Sequence, residues 1–543
     1  MDPLSVGLRI GVPIALLVSL AIVHSLDGPR GRWGRRVRSR LLLGVPWGTL
    51  TTIVVVLLVY LGAQQGLASP RSPLYIPFTS WSYFYPLGVL TAPFAHQGLG
   101  HVTGNLLGTI ALAPLAEYAF SHFPTQRGRQ AFDTWRTNPY VRAFVVFPAG
   151  VLVVGLLTSV FSWGPIIGFS GVVFAFAGFA LVRYPLATVV ALVARDMLGT
   201  LYYVLRDPII TGSAGPSFGP PWWAGIAIQG HLLGFLLGVM LGAAIVSKRS
   251  SVERPSALAL WTGGILVGSN MTLWAVWWYR DGGFVLYRGA GILLVVTLAL
   301  VVTAAVQSRD EPLVGTVTTR QLSIAILVLP LLTMGFVAVP LNATVLEDDD
   351  PPGPSVEVDG YTISYAEDVP HQRVGAIDVS AFGETTRFNV SGVIVTNEDR
   401  TIWTEAIPAS RLSFDGQRTT KVGGIGWSRS VTAIREGWTV TGNGTVYQVA
   451  LRPGGENATW VYASEGARAE PTIDGSNVTI RPAEGAFYVT VTAGGEELGK
   501  SRMPARNESV TVGELTISRD TNDGVFAEAD GTRVRVATKE TYE

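Results

Sequence analysis

The chain has 543 residues, 48% of them hydrophobic and only 15% charged, too few charges for a soluble protein of this length. It contains no cysteine, which excludes thiol catalysis, disulfides and cysteine metal sites. The zero net charge hides a split: 30 Asp and Glu face 18 Lys and Arg from Leu341 onward, leaving 10 acidic and 22 basic residues in the first 340. An apolar, basic front half joined to a polar, acidic tail has the pattern of a membrane protein with an exported domain. Arginine far outnumbers lysine, which with the acidic tail fits a GC-rich, halophilic archaeal or bacterial source.

A bilayer core takes about 20 apolar residues per helix. Spans are predicted near 5–25, 42–64, 98–119, 140–161, 166–183, 186–205, 222–247, 257–279, 285–306 and 321–341, about ten in total, with the split at Pro185 the least marked. The first lacks a preceding basic run and a small-residue cleavage site, so it reads as a retained helix rather than a signal peptide. Arg30, Arg32, Arg35, Arg36, Arg38 and Arg40 follow it. Arg127, Arg129 and Arg136 follow span three, Lys248, Arg249 and Arg254 span seven, and Arg309 and Arg320 span nine. If the spans alternate, all of these share one side, the cytoplasm, and both termini lie outside the plasma membrane. Arg9 is the exception and is expected to snorkel to the outer surface. Glycosylation sequons beginning at Asn342, Asn389, Asn443, Asn457, Asn477 and Asn507 agree with an exported tail; Asn270 falls inside a span, where it is unusable.

The first long outer segment, 65–97, carries Tyr75, Phe78, Trp81, Tyr83, Phe84 and Tyr85, and reads mostly as an interfacial aromatic belt. His96 and then His101 and Asn105 follow it. The last two are four apart and share a helix face near the outer end of their span, where they suit donors to an oxyanion. Ser170 opens an inward span between Gly168 and Gly171, which expose its hydroxyl, with Phe174 one turn on. His231 follows Trp222 by nine residues, roughly 13 Å of helix, at a depth Ser170 can match. Gly230, Gly234 and Gly238 around it allow close helix contact, although that spacing alone is more often plain packing. A buried histidine can make a serine nucleophilic near neutral pH, and polar groups at such depth are costly.

His96-x4-His101-x3-Asn105, then Gly168-x-Ser170-Gly171, then a Gly-x3-Gly helix headed by His231, together resemble the rhomboid intramembrane serine proteases. The resemblance covers about residues 42–247. It implies a six-helix core and a Ser170–His231 dyad without aspartate. It also implies an oxyanion hole of His101, Asn105 and the Ser170 N–H, with His96 holding the aromatic loop, Glu117 tying helices together and Phe174 stacking on the catalytic imidazole. Two departures stand out: Trp81 is followed by Ser82 where the family commonly has Trp-Arg, and Gly230 replaces the usual alanine. One extra span before the core and three after it make an unusual layout.

The other histidines, His24 and His122 at span ends and His371 in the tail, read as structural, and no metal-ligand spacing or cofactor motif is present. The Gly- and Pro-rich run 212–221 is either a connector or a mobile cap over the site. Beyond the Asp348–Pro352 linker, strands are predicted at Val356–Tyr365, Arg387–Thr396, Thr439–Leu451, Asn477–Ile480, Ala486–Val491, Val510–Ile517 and Arg533–Val536. Asp415-Gly416 and Asn443-Gly444 read as hairpin turns, giving one or two β-sandwich-like domains. The tail reads as a binding or spacing module, for an extracellular protein or a glycan, rather than a second enzyme. No basic stripe points to nucleic acid.

The expected fold is therefore a polytopic α-helical membrane protein plus an all-β C-terminal domain. Its parts are an extra span and basic loop at 1–41, a rhomboid-like core at 42–247, three extra spans at 248–341, a linker at 342–354 and a β domain at 355–543. The expected activity is serine endopeptidase cleavage of transmembrane protein substrates in the lipid bilayer near its outer face. A non-catalytic scaffold binding client helices is the alternative; a transporter, for which Arg195-Asp196 is the main paired charge, ranks last.

Overall fold

The computed structural model describes residues 3–27, 31–124, 128–210, 221–248, 254–280, 283–307, 312–314, 317–344, 353–372, 388–442 and 444–543. Two compact units emerge, one essentially Met1–Val345 and the other essentially Leu346–Glu543. The linker aspartates Asp348–Asp350, the run 212–220, Asn443, Arg30, Arg127, Arg249 and Arg309 lie outside the described residues.

The first unit is a bundle of apolar helices. Among the described residues, seven helices are long and apolar enough to cross a bilayer: Pro3–Leu26, Leu99–Phe120, Pro139–Phe161, Pro185–Arg206, Ile228–Ile245, Arg288–Gln307 and Thr319–Asn342. Trp47–Ala63 and Ser170–Arg183 are shorter apolar helices. In chain order the elements are α1 (Pro3–Asp27), α2 (Arg32–Arg40), α3 (Trp47–Leu58, extended by a π turn), α4 (Pro86–Thr91), α5 (Leu99–Phe120) and α6 (Pro139–Val141), which runs through a second π turn into α7 (Phe147–Phe161). Then follow α8 (Ser170–Arg183), α9 (Pro185–Arg206), α10 (Ile228–Lys248), α11 (Ala257–Asn270), α12 (Arg288–Gln307) and α13 (Thr319–Asn342), with short hairpins β1 (Trp277–Arg280)–β2 (Gly283–Leu286) and β3 (Pro312–Val314)–β4 (Val317–Thr318). Proline at N1 of α9 and a non-helical Tyr184 (φ −135°, ψ 62°) make the break between α8 and α9. The span expected at 257–279 stops short. α11 ends at Asn270, Thr272 turns with φ 61°, and hairpin β1–β2 occupies the rest.

Helix α8 is the axle of the bundle. Eleven of its fourteen residues are buried, and Phe169, Ala177, Ala180 and Leu181 are fully enclosed. It packs most heavily on α10 and also touches α5, α7, α9 and α11. On the opposite end from Ser170, Glu117 accepts from the Gly48 and Thr49 N–H groups and the Thr49 hydroxyl, each at 2.7 Å, so a carboxylate caps the N-terminus of α3. His122, expected to be an ordinary span-end residue, is fully buried and completes this knot. Its Nδ1 accepts from the Leu42 N–H at 2.9 Å, which leaves Nε2–H to donate to Glu117 at 2.7 Å.

Segment 65–97 is a folded cap rather than a mere belt. Phe78, Trp81 and Tyr85 are buried. The Trp81 indole donates to the Ile76 carbonyl at 2.7 Å and the Tyr85 hydroxyl to the Pro77 carbonyl at 2.9 Å. Buried aromatics with a polar tip take such partners whenever one is in reach. Only Phe84 of the named aromatics is largely exposed, at 59%.

Among its described residues the second unit is all-β apart from α14 (Ala409–Asp415). One sheet orders β5 (Ser355–Val358), β6 (Tyr361–Pro370), β7 (Asn389–Asn397) and β8 (Ile402–Pro408). A larger sheet holds β9 (Gln417–Gly424), β10 (Trp427–Val440), β11 (Gly444–Pro453) and β12 (Thr459–Ala463). It continues with β17 (Ser509–Val512), β18 (Leu515–Arg519), β19 (Gly524–Ala529) and β20 (Thr532–Lys539), in the order β12-β11-β10-β20-β19-β18-β17 with β9 on β10. A third sheet orders β13 (Ala467–Ile473), β14 (Ser476–Ala483), β15 (Ala486–Ala493) and β16 (Glu496–Arg502). Val440, Val446, Ile480, Val489, Ile517 and Val536 share one core between the last two sheets, as alternate residues of facing strands must. The protein is thus a polytopic α-helical membrane protein with an all-β C-terminal region.

The hairpins are tighter than expected. Val356–Tyr365 is two strands, not one, turning at Asp359-Gly360 with φ 48° and 83°, the two-residue geometry that matches strand twist. Val510–Ile517 likewise holds a turn, and within Thr439–Leu451 β10 pairs back antiparallel onto β11 on either side of the expected hairpin turn. Asp415-Gly416 closes α14 instead of a hairpin, with the Gly416 N–H bonded back to Leu412.

Candidate active site

Ser170 is the first residue of α8 and His231 the fourth of α10. The segment from Trp222 to Ala227 is not helical, so His231 lies in the first turn of its helix rather than 13 Å into it. Two parallel helices, joined through α9, thereby offer serine and histidine at one level. The Ser170 Oγ stands 2.8 Å from His231 Nε2.

Backbone contact between α8 and α10 sets this distance. A Cβ at Gly234 would land on the Gly171 carbonyl, one at Gly238 on the Ala175 carbonyl, and one at Gly178 on the Phe235 carbonyl. Only hydrogen at these three positions permits the approach. The imidazole plane is set by Phe174, whose ring stacks on it with centroids 4.2 Å apart and planes 15° from parallel. Among the described residues His231 Nδ1 has no hydrogen-bond partner, and none of their carboxylates backs the histidine. If Nε2 accepts the serine proton, Nδ1 carries the other.

His101 and Asn105 meet the loop that delivers Ser170. Gly168 has φ +128°, and a Cβ there would sit 2.6 Å from His101 Nε2 and 3.6 Å from Asn105 Nδ2. Asn105 is 8% exposed, and its Nδ2 donates to no group among the described residues. A buried amide donor of this kind, beside the loop that carries a serine hydroxyl, is placed to donate to an incoming oxygen. The Ser170 N–H adds an orphan donor of the helix N-terminus. His96 is fully buried. Gln64 grips its backbone, accepting from the His96 N–H at 2.8 Å and donating to its carbonyl at 2.7 Å, and its ring meets His101 edge-on at 5.0 Å. Gly230 faces Ser162, whose hydroxyl lies 2.7 Å from where a Cβ would be.

Sequence reasoning missed two contributors. Gln64 gave no pattern signal, being one polar residue at a span end. Asn342, taken for a glycosylation site in the tail, is the last residue of α13 and 4% exposed, with its amide donating to the Ser162 carbonyl at 2.7 Å. A sugar has no access to that nitrogen. Arg195 and Asp196 pair with each other on α9, at 3.0 and 2.9 Å, and Asn270 donates to the same carboxylate at 3.2 Å. Arg9 donates to the Arg206 carbonyl at 2.7 Å, capping α9.

Residues 83–248 match the family model described as Rhomboid domain. No curated protein and no solved structure matches the chain.

Proposed function

The chain is a rhomboid family member over residues 83–248, and on that premise we propose that it is an intramembrane serine endopeptidase. The observation that carries this reading is the 2.8 Å approach of Ser170 Oγ to His231 Nε2 at the head of two membrane helices. Ser170 Oγ attacks the scissile carbonyl carbon while His231 Nε2 takes its proton. The carbonyl oxygen, now negative, receives hydrogen bonds from Asn105 Nδ2, His101 and the Ser170 N–H. The transient imidazolium is supported by the face of Phe174, which stacks on the ring. The tetrahedral centre collapses, the C–N bond breaks, and Nε2 gives its proton to the leaving amine. Water then repeats the sequence on the acyl-enzyme.

Transmembrane segments of membrane proteins fit such a site as substrates. A helix in lipid hides its carbonyls in its own hydrogen bonds, so the cut favours a stretch that unwinds easily. The arginine distribution supports a plasma-membrane topology with both termini outside and the β region extracellular. Co-expression with a single-span reporter tests the activity. Cleavage should occur with the wild-type chain and disappear in Ser170→Ala and in His231→Ala. Full cleavage by either variant would refute the dyad, and a wild-type chain that binds the reporter without cutting it would favour a client-binding scaffold.

A further inference from the structure

In the aromatic loop Trp81 is followed by the short Ser82, and the end of α13 tethers the loop there. The carbonyl of Asn342, at the end of α13, accepts from the Ser82 hydroxyl at 3.0 Å and from the Tyr83 N–H at 2.9 Å. Its side-chain amide donates to the carbonyls of Ser162 and Val160, at 2.7 and 3.3 Å, where α7 runs out of intrahelical partners. The Tyr83 hydroxyl donates to the same Val160 carbonyl at 2.6 Å, and the Trp163 indole to the Met334 carbonyl of α13 at 3.0 Å.

We infer that the end of α13 is a clasp and that Asn342 and Ser82 are positioning residues for the Ser170–His231 pair, an inference that rests on the protease reading. Two routes lead from the clasp to the pair. On one side the aromatic loop holds the strand-like approach to Ser170: the Ser80 N–H donates to the Ile166 carbonyl at 3.0 Å, and the Gly168 N–H to the Ala92 carbonyl at 2.9 Å. On the other side Gln229, two residues before His231, donates to the Phe161 carbonyl at 2.8 Å and accepts from the Trp163 N–H at 3.0 Å. The outer end of α7 is thus gripped between Asn342 and the start of α10. The added spans are then not an appendage: the last of them completes the site's frame.

The test uses the full chain in lipid nanodiscs, with a fluorophosphonate to count active sites and a single-span reporter to measure turnover. Asn342→Ala should lower kcat per titrated site about ten- to a hundred-fold with KM nearly unchanged, because misplacement of the pair costs turnover rather than binding. Asn342→Asp, equal in size but without amide donors, should do the same, while Thr344→Ala, which also removes the sequon, should not. Amide exchange in the variant should quicken about ten-fold at 80–85 and 160–168 and stay unchanged in α5 and α8. A variant that loses only the number of titratable sites, with kcat per site preserved, would reduce Asn342 to a folding residue and overturn the proposal. If the wild-type chain neither labels nor cleaves, the protease reading fails, and the exchange pattern alone decides: unchanged exchange at 160–168 overturns the clasp.

Discussion

Asn105 shows how much a single side chain is asked to do. It is buried, its Nδ2 donates to nothing among the described residues, and Gly168 lies against it two residues before Ser170. Replacing it by alanine should cut kcat about a hundred-fold and leave KM nearly unchanged, the mark of a donor used only as the oxyanion forms. A steady-state comparison on one reporter checks this; an equal rise in KM with kcat intact would make Asn105 a substrate-binding group. These residues were visible in the sequence because polar groups in apolar helices are rare enough to count. Glu117 was legible only through the family resemblance, and His122, its buried partner, was not legible as such. A histidine at a helix end usually faces water, and the Leu42 N–H that fixes it lies 80 residues away.

Between elements, the α8–α10 contact is the feature on which the site depends. Gly234→Val must push the Gly171 carbonyl away and so separate serine from histidine, with activity expected to fall at least about a hundred-fold. Gly150→Ala on α7 has open space around it and should leave both activity and thermal stability near wild type. Measuring both variants separates a packing effect from a general intolerance of substitution. The Gly-x3-Gly spacing around His231 announced a close contact but not its partner, since any small-faced helix would have served. The start of α10 was misplaced because Trp222 and Trp223 extend the apolar run. In the structure they join Trp274, Trp277 and Phe284 in an aromatic cluster with hairpin β1–β2, which hydropathy alone does not distinguish from a span.

At the scale of the whole molecule, runs of apolar residues made the helical half legible, and Gly-punctuated β runs made the second half legible as a class. Pairing was not, because hairpins such as Asp359-Gly360 hide inside continuous β-prone stretches, and the order of sheets depends on contacts distant in sequence. The β region also carries its own pH signature. Burial pushes the Glu405 carboxyl up to about 7, so folding holds a proton that the unfolded chain releases. That region should lose stability as pH rises from the ordinary glutamate range toward 7, and Glu405→Gln should remove this slope in thermal unfolding followed by β-sheet signal. Asp523 works in the opposite sense. A hydrogen bond from Arg506, helped by Arg519, holds it near 2, so its contribution is present above the usual aspartate range and vanishes as pH falls through about 2.

The central claim, that an uncharged imidazole turns one membrane-embedded hydroxyl into a nucleophile, is tested most directly by fluorophosphonate labelling followed by peptide mass analysis. The account predicts a covalent adduct on Ser170, formed by the wild-type chain and lost in His231→Ala. A wild-type chain that stays unlabelled, or an adduct that forms equally well without His231, would contradict it.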